Sequence, residues 1–258
     1  MQDTEQRQKA LEEALRQTDE LFDMFSKVIR RDWENTSTEN LPENSDFSAT
    51  AARLISKEGS SDIRQCLDLE ALRNDCLSCN RCRLAKTRTN TVFGEGIEDR
   101  PDVFVIGEGP GETEDRTGRP FTGKAGELLE RMLAAISLYR DTNCYISNIV
   151  KCRPPQNRDP LPDEKNACAA YIRQQVALTR PKAILCLGKP ASSFMTRDDT
   201  ASMSQLRGRF TLYDKSIPLI CTDHPAAVLR NCELRRPVWE DLKKLARFLN
   251  LRIAGGDR

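Results

Sequence analysis

No apolar run in the 258 residues approaches the roughly 20 that cross a bilayer as a helix, and mean hydropathy is -0.58, so a membrane-spanning helix is not expected. The N-terminal stretch MQDTEQRQKALEEALRQ lacks the basic start and apolar core of a secretory signal, which makes a soluble, cytoplasmic protein the expectation. An excess of charge of one sign is missing as well, since 40 Lys and Arg face 39 Asp and Glu. The balance is uneven along the chain, at -7 over residues 1–70 and +8 over the remainder, a surplus compatible with a polyanionic partner and common on surfaces that bind nothing. Internal repeats are absent, and histidine occurs once. Cysteine is plentiful. In a reducing compartment ten of them read as metal ligands or buried thiols, not as a disulfide framework.

The length suits one medium α/β domain with an appendage, or two small domains. Residues 1–34 carry Leu11, Leu15, Phe22, Phe25 and Ile29 at helical spacing, an amphipathic extension that packs on the rest of the chain or binds a protein partner. Residues 35–68 begin with the polar run NTSTENLPENSDFSA and read as a flexible linker, leaving 69–258 as the organised domain. Within it four apolar runs predict buried strands, at 103–108, 144–150, 183–187 and 218–222. Helical patterns lie between and after them, at 123–138, 162–178, 189–195 and 237–249. Strands alternating with helices imply βαβ units and a parallel sheet, whose ligands bind beyond the carboxyl ends of the strands.

The residues just after those ends are therefore the candidates. The first is followed by Gly107-Glu108-Gly109-Pro110-Gly111 and then Glu112, Glu114 and Asp115. The glycines permit close backbone approach to a ligand. A phosphate cradle is disfavoured, because no G-K-[ST] follows and four carboxylates would repel a phosphate. Those carboxylates suit water activation or a neutral ligand; a solvated acidic turn is the plain alternative. Asn148 and Lys151 to Arg158 follow the second strand, and the sole histidine, in His224-Pro225-Ala226-Ala227-Val228-Leu229-Arg230, follows the fourth. A solitary histidine is commonly structural, but at a strand end it can donate a hydrogen bond to a leaving group. Cys76, Cys79 and Cys82 form a C-x2-C-x2-C run and Cys152 and Cys168 a C-x15-C pair. Zinc and a [4Fe-4S] cluster both accept four thiolates, so spacing leaves the metal open. Cys144, Cys186 and Cys221 sit in apolar runs as small buried hydrophobes, whereas Cys66 and Cys232 give no signal.

The runs CNRCRLAKTRTNTVFGEG, VIGEGPGETEDRTGRPFTGKAGELLERML, NIVKCRPPQNRDPLPDEKNAC and HPAAVLR, in this order from Cys76 to Phe248, resemble the family four uracil-DNA glycosylases, the iron-sulfur branch of their superfamily. The resemblance implies an α/β/α sandwich around a four-stranded parallel sheet, with a [4Fe-4S] cluster held by Cys79, Cys82, Cys152 and Cys168. It also implies a monofunctional DNA-repair hydrolase that flips uracil out of single- or double-stranded DNA and leaves an abasic site. Phe121 would stack on the base, Asn148 would read its O4 and N3–H edge, and backbone amides near Gly109 would touch it. His224 would donate toward O2 of the departing base. The water would be oriented by Glu108 or Glu114, since Gly109 stands where the fastest related branch has Asp; Glu114 would alternatively crowd the thymine methyl. Lys124, Arg158 and Arg230 would contact DNA phosphates, with Val228 or Leu229 as the apolar wedge. Two positions depart from the family pattern: Ala226 replaces a serine, and Thr122 a valine. The only histidine lies in the last motif, so the covalent trapping seen in a histidine-bearing branch is not expected. The rival readings are a catalytically silent cluster-bearing DNA-binding module and a zinc-bearing nucleotide-binding regulator.

Overall fold

The protein is described by a computed structural model at Cys66 and over residues 68–253. Apart from Cys66 and Asp68, the helix expected over 1–34 and the linker expected over 35–68 lie outside the described residues. Among the described residues no helix is long and apolar enough to cross a membrane.

The four apolar runs form strands β2 (Val103–Gly107), β3 (Cys144–Asn148), β4 (Ala183–Leu187) and β6 (Ile217–Thr222), in which every residue is buried. Burial on both faces is why they lack polar alternation. They pair in parallel in the order β3-β2-β4-β6. The sheet does not stop at four strands. A two-residue β1 (Glu95–Gly96) pairs antiparallel with β3, and β5 (Phe210–Tyr213) pairs antiparallel with β6, giving a six-stranded mixed sheet. Both additions escaped the sequence reading for a physical reason: β1 is too short to show a pattern, and Thr211 and Leu212 of edge strand β5 face solvent.

Side chains alternate across the sheet and feed two cores. Val103 and Val105 pack with Leu129 and Leu133 of α3 (Lys124–Ala134) and with Trp239 and Leu242 of α8 (Arg235–Phe248). Phe104 and Ile106 pack with Leu72 of α1 (Leu69–Leu77), Tyr171 and Ile172 of α4 (Pro162–Thr179), and Ala191 of α5 (Gly188–Thr196). Helices thus cover both faces. Short helices α2 (Glu112–Thr117), α6 (Met203–Leu206) and α7 (Pro225–Arg230) complete the order. Cys144, Cys186 and Cys221 are buried in their strands.

The topology locates the functional end. From β2 the chain crosses through α3 to β3 on one side, then through α4 to β4 on the other side of β2. The carboxyl end of β2 is therefore where the strand order reverses, the place where open α/β sheets leave a crevice.

Candidate active site and cysteine pocket

The crevice holds the residues that the motifs single out. Gly107 ends β2 directly opposite Asn148 at the end of β3. Past these ends the two strands stay coupled, with the Ile149 N–H donating to the Gly107 carbonyl at 2.9 Å and the Val150 N–H to that of Glu108 at 3.1 Å. A Cβ on Gly107 would collide with Asn148 Oδ1 and lie 2.5 Å from Phe121 Cζ, so the absent side chain is what lets these two groups meet. Asn148 is buried, and its Oδ1 accepts no hydrogen bond among the described residues. Such an orphaned acceptor costs about 1–3 kcal/mol unless a ligand supplies a donor.

Phe121 is buried with φ of +53°, a left-handed conformation that bulky residues avoid. The surrounding contacts impose it. Arg140, itself buried, donates to the Pro120 carbonyl at 2.8 Å and to the Phe121 carbonyl at 3.2 Å, and is anchored by Glu130 at 2.8 Å. Glu114 fixes the other flank of the loop. Its Oε1 accepts from the Thr122 and Gly123 N–H groups, both at 2.9 Å, and its Oε2 from the Gly111 N–H at 3.0 Å. One carboxylate thereby ties the glycine loop after β2 to the start of α3.

His224 caps α7 from the end of β6, with its ring centroid 5.8 Å from that of Phe121. Gly188, at φ of +79°, brings its own Cα close to His224; a Cβ there would lie 2.9 Å from His224 Cβ. The imidazole Nδ1 accepts the Ala226 N–H at 3.1 Å, which in the neutral ring puts the proton on Nε2. Burial pushes its pKa down to about 4, helped by the Arg230 charge and opposed by Glu114. Glu108 moves the opposite way. Burial raises its carboxyl to about 7, with the Asp159 charge adding and Lys165 subtracting, and its buried Oε1 has no hydrogen-bond partner among the described residues.

Lys124 opens α3 and Arg230 closes α7, both exposed, on helices that pack together. Two other expected DNA contacts are differently placed. Val228 is 1% exposed within the core and cannot serve as a wedge, whereas Leu229 beside it is 38% exposed. Arg158 forms a two-pronged pair with buried Glu164, at 2.8 and 2.7 Å, so its charge is already matched.

The second feature is a pocket lined by Cys76, Cys79, Cys82, Cys152 and Cys168 together with Arg81, Arg88, Lys151 and Tyr171. It joins residues far apart in sequence, from the end of α1, the turn after it, the β3 exit and α4. Arg88 donates to Cys152 Sγ at 3.2 Å and Arg81 to Cys79 Sγ at 3.6 Å. Burial pushes the Cys168 thiol up to about 12 and raises Cys82 and Cys152 as well. Among the described residues no three His, Cys, Asp or Glu side chains converge on one metal-ion position.

A family profile described as "Uracil DNA glycosylase superfamily" matches residues 93–243. A type-4 uracil-DNA glycosylase of Thermotoga maritima is 43% identical over 183 residues, spanning 70% of this chain and 94% of that protein. Those of Archaeoglobus fulgidus and Sulfurisphaera tokodaii are 42% and 39% identical, over 69% of this chain and 91% and 83% of theirs. The chain belongs to the type-4 uracil-DNA glycosylase family. Arg140 lies in no sequence pattern that suggests a role. Arg88 and Lys151 stand inside the CNRCRLAKTRTNTVFGEG and NIVKC runs, and only their contacts in the fold distinguish them from their neighbours.

Proposed function

We propose that this chain hydrolyses the N-glycosidic bond of uracil in DNA, a repair activity that leaves an abasic site. The observation that carries the reading is the orphaned Asn148 Oδ1 beside the Phe121 ring and His224. A flipped uracil stacks on Phe121, gives its N3–H to Asn148 Oδ1 and takes the amide N–H at O4. Cytosine presents the reverse pattern and leaves the buried amide mismatched. Backbone amides near Gly109 complete the base cradle. His224, neutral and bonded through Nδ1, donates Nε2–H to O2 as negative charge develops on the departing base. Water then adds at C1′ of the oxocarbenium-like sugar.

Of the two carboxylates, Glu108 is the one with a free oxygen for that water. Glu114 spends both oxygens on backbone amides and serves as the clamp of the Phe121 loop. Lys124 and Arg230 take the DNA phosphates, and Leu229 fills the gap left by the flipped base.

The cysteine pocket suits a [4Fe-4S] cluster on Cys79, Cys82, Cys152 and Cys168. Burial holds the Cys82, Cys152 and Cys168 thiols against ionisation unless a metal replaces the proton, and Arg81, Arg88 and Lys151 supply matching positive charge. Sulfurs distributed around a pocket suit a polynuclear cluster better than a single zinc ion. Bound by four thiolates, the cluster supplies a cross-link between the Cys79 turn and the segment from Cys152 to Cys168, and no open coordination position.

An oligonucleotide with a single uracil, treated with protein and then alkali, tests the activity against a thymine control. Cleavage at uracil is expected, falling roughly 10²–10³-fold in His224→Ala and similarly in Asn148→Ala. Full-rate excision by both variants would refute the site.

A further inference from the structure

Lys151 stands between the two features. It precedes Cys152 directly and is 1% exposed. Its Nζ contacts Ser147 Oγ at 2.6 Å, the Asn148 carbonyl at 2.8 Å and Gln175 Oε1 at 2.6 Å. Ser147 gives its own hydroxyl hydrogen to the Phe93 carbonyl at 2.8 Å, so it can only accept from lysine. Gln175 Nε2 donates to the same carbonyl at 2.9 Å, which orients the amide oxygen toward Lys151. Three donated bonds need three N–H groups, and only the ammonium form has them.

That ammonium is buried, and among the described residues no carboxylate forms an ion pair with it. An isolated buried charge is costly. The groups facing it on the other side are sulfurs: it lines the pocket with Cys76 of α1, the Cys79 and Cys82 turn, Cys152, and Cys168 of α4. Its backbone N–H also bonds to the Cys168 sulfur. Four thiolates on a cluster would place negative charge where this cation lacks it.

We propose that Lys151 is a positioning residue whose ammonium is the countercharge of the thiolate-bound cluster and which, by gripping the Asn148 carbonyl, couples the cluster to the strand end that presents Asn148 to uracil. The proposal rests on the cluster and base-reading assignments above. It gives the cluster a consequence for recognition without giving it a chemical step.

The test uses the full chain, purified anaerobically, as wild type, Lys151→Met and Ser147→Ala. For each, iron per chain, the cluster midpoint potential, and kcat and KM on a uracil oligonucleotide are measured. Lys151→Met is expected to shift the potential downward, because a nearby positive charge stabilises the reduced cluster. Its KM should rise about 10- to 100-fold, the worth of a charged hydrogen bond, with a smaller change in kcat. Ser147→Ala keeps the charge, so its potential should match wild type while KM rises. A merely structural lysine would alter stability and leave the potential in place. Unchanged potential and KM in an iron-loaded Lys151→Met protein would overturn the proposal. If that variant cannot be isolated, an unchanged KM in Ser147→Ala overturns it. Wild-type protein that excises uracil without iron would sink the cluster assignment and this proposal with it. Wild type that holds the cluster but leaves uracil intact would sink the activity instead, and again the proposal.

Discussion

A histidine used as a proton donor is usually poised near neutrality, yet His224 is held neutral well below that range. The cause is local: burial disfavours the imidazolium, and the nearby Arg230 charge adds to that effect. Because histidine occurs once, its ring protons give one unambiguous NMR titration. The midpoint is expected near 4, against an unperturbed value of 6.5; a midpoint near 6.5 would show a solvated ring. The sign for stability follows. The unfolded ring binds a proton that the folded ring refuses, so this group's contribution is whole above pH 6.5 and is lost as pH falls through about 4. Glu108 behaves oppositely, since its raised pKa favours the folded state at low pH and that advantage is lost as pH rises through about 7. If its carboxylate orients the water, the rate should rise with pH around 7, and Glu108→Gln should flatten that limb. A profile identical to wild type would return the role to another group.

Elements set the distances between these residues. Gly107 ends β2, and its missing side chain is what allows Asn148 and Phe121 to occupy one cradle. Gly107→Ala is expected to lower kcat/KM by about 10²-fold, as small displacements of a reacting constellation do, with the fold largely retained. An alanine variant of wild-type efficiency and unchanged circular dichroism would show that the cradle tolerates the methyl group. At this scale the strands differed in how readable they were. The four parallel strands are buried on both faces and stand out as apolar runs. The edge strands β1 and β5 pair on one side only, and their residues are half-exposed or exposed, so their existence depends on β3 and β6 being there first. Helix α2 was invisible for a similar reason. Its acidic sequence ETEDRT makes a poor apolar face, and what organises it is the reach of Glu114 to three backbone amides.

For the whole molecule, near-zero net charge hides a segregation that matters for binding a polyanion. The described domain carries the positive surplus, and exposed Lys124 and Arg230 sit on adjoining helices. Each should release about one counterion on binding, so Lys124→Ala or Arg230→Ala is expected to reduce the slope of log K against log salt by about 1. Arg158→Ala should leave the slope unaltered, because Glu164 already neutralises that guanidinium. Equal slopes for all three variants would place the DNA path elsewhere. By itself the sequence determined the alternation of elements and the parallel core, because these are local patterns of polarity; the lone His224 and the spaced cysteines stand out locally too, whereas Phe121, Asn148 and the choice of four cysteines follow from the likeness of whole motifs to the family. Tertiary structure decided which of two adjacent apolar residues, Val228 or Leu229, faces outward and that the Arg158 charge is taken up by Glu164. It also decided that one buried lysine touches both the base-reading strand and the cysteine pocket. Those outcomes depend on contacts between segments distant in the chain, which no local pattern encodes.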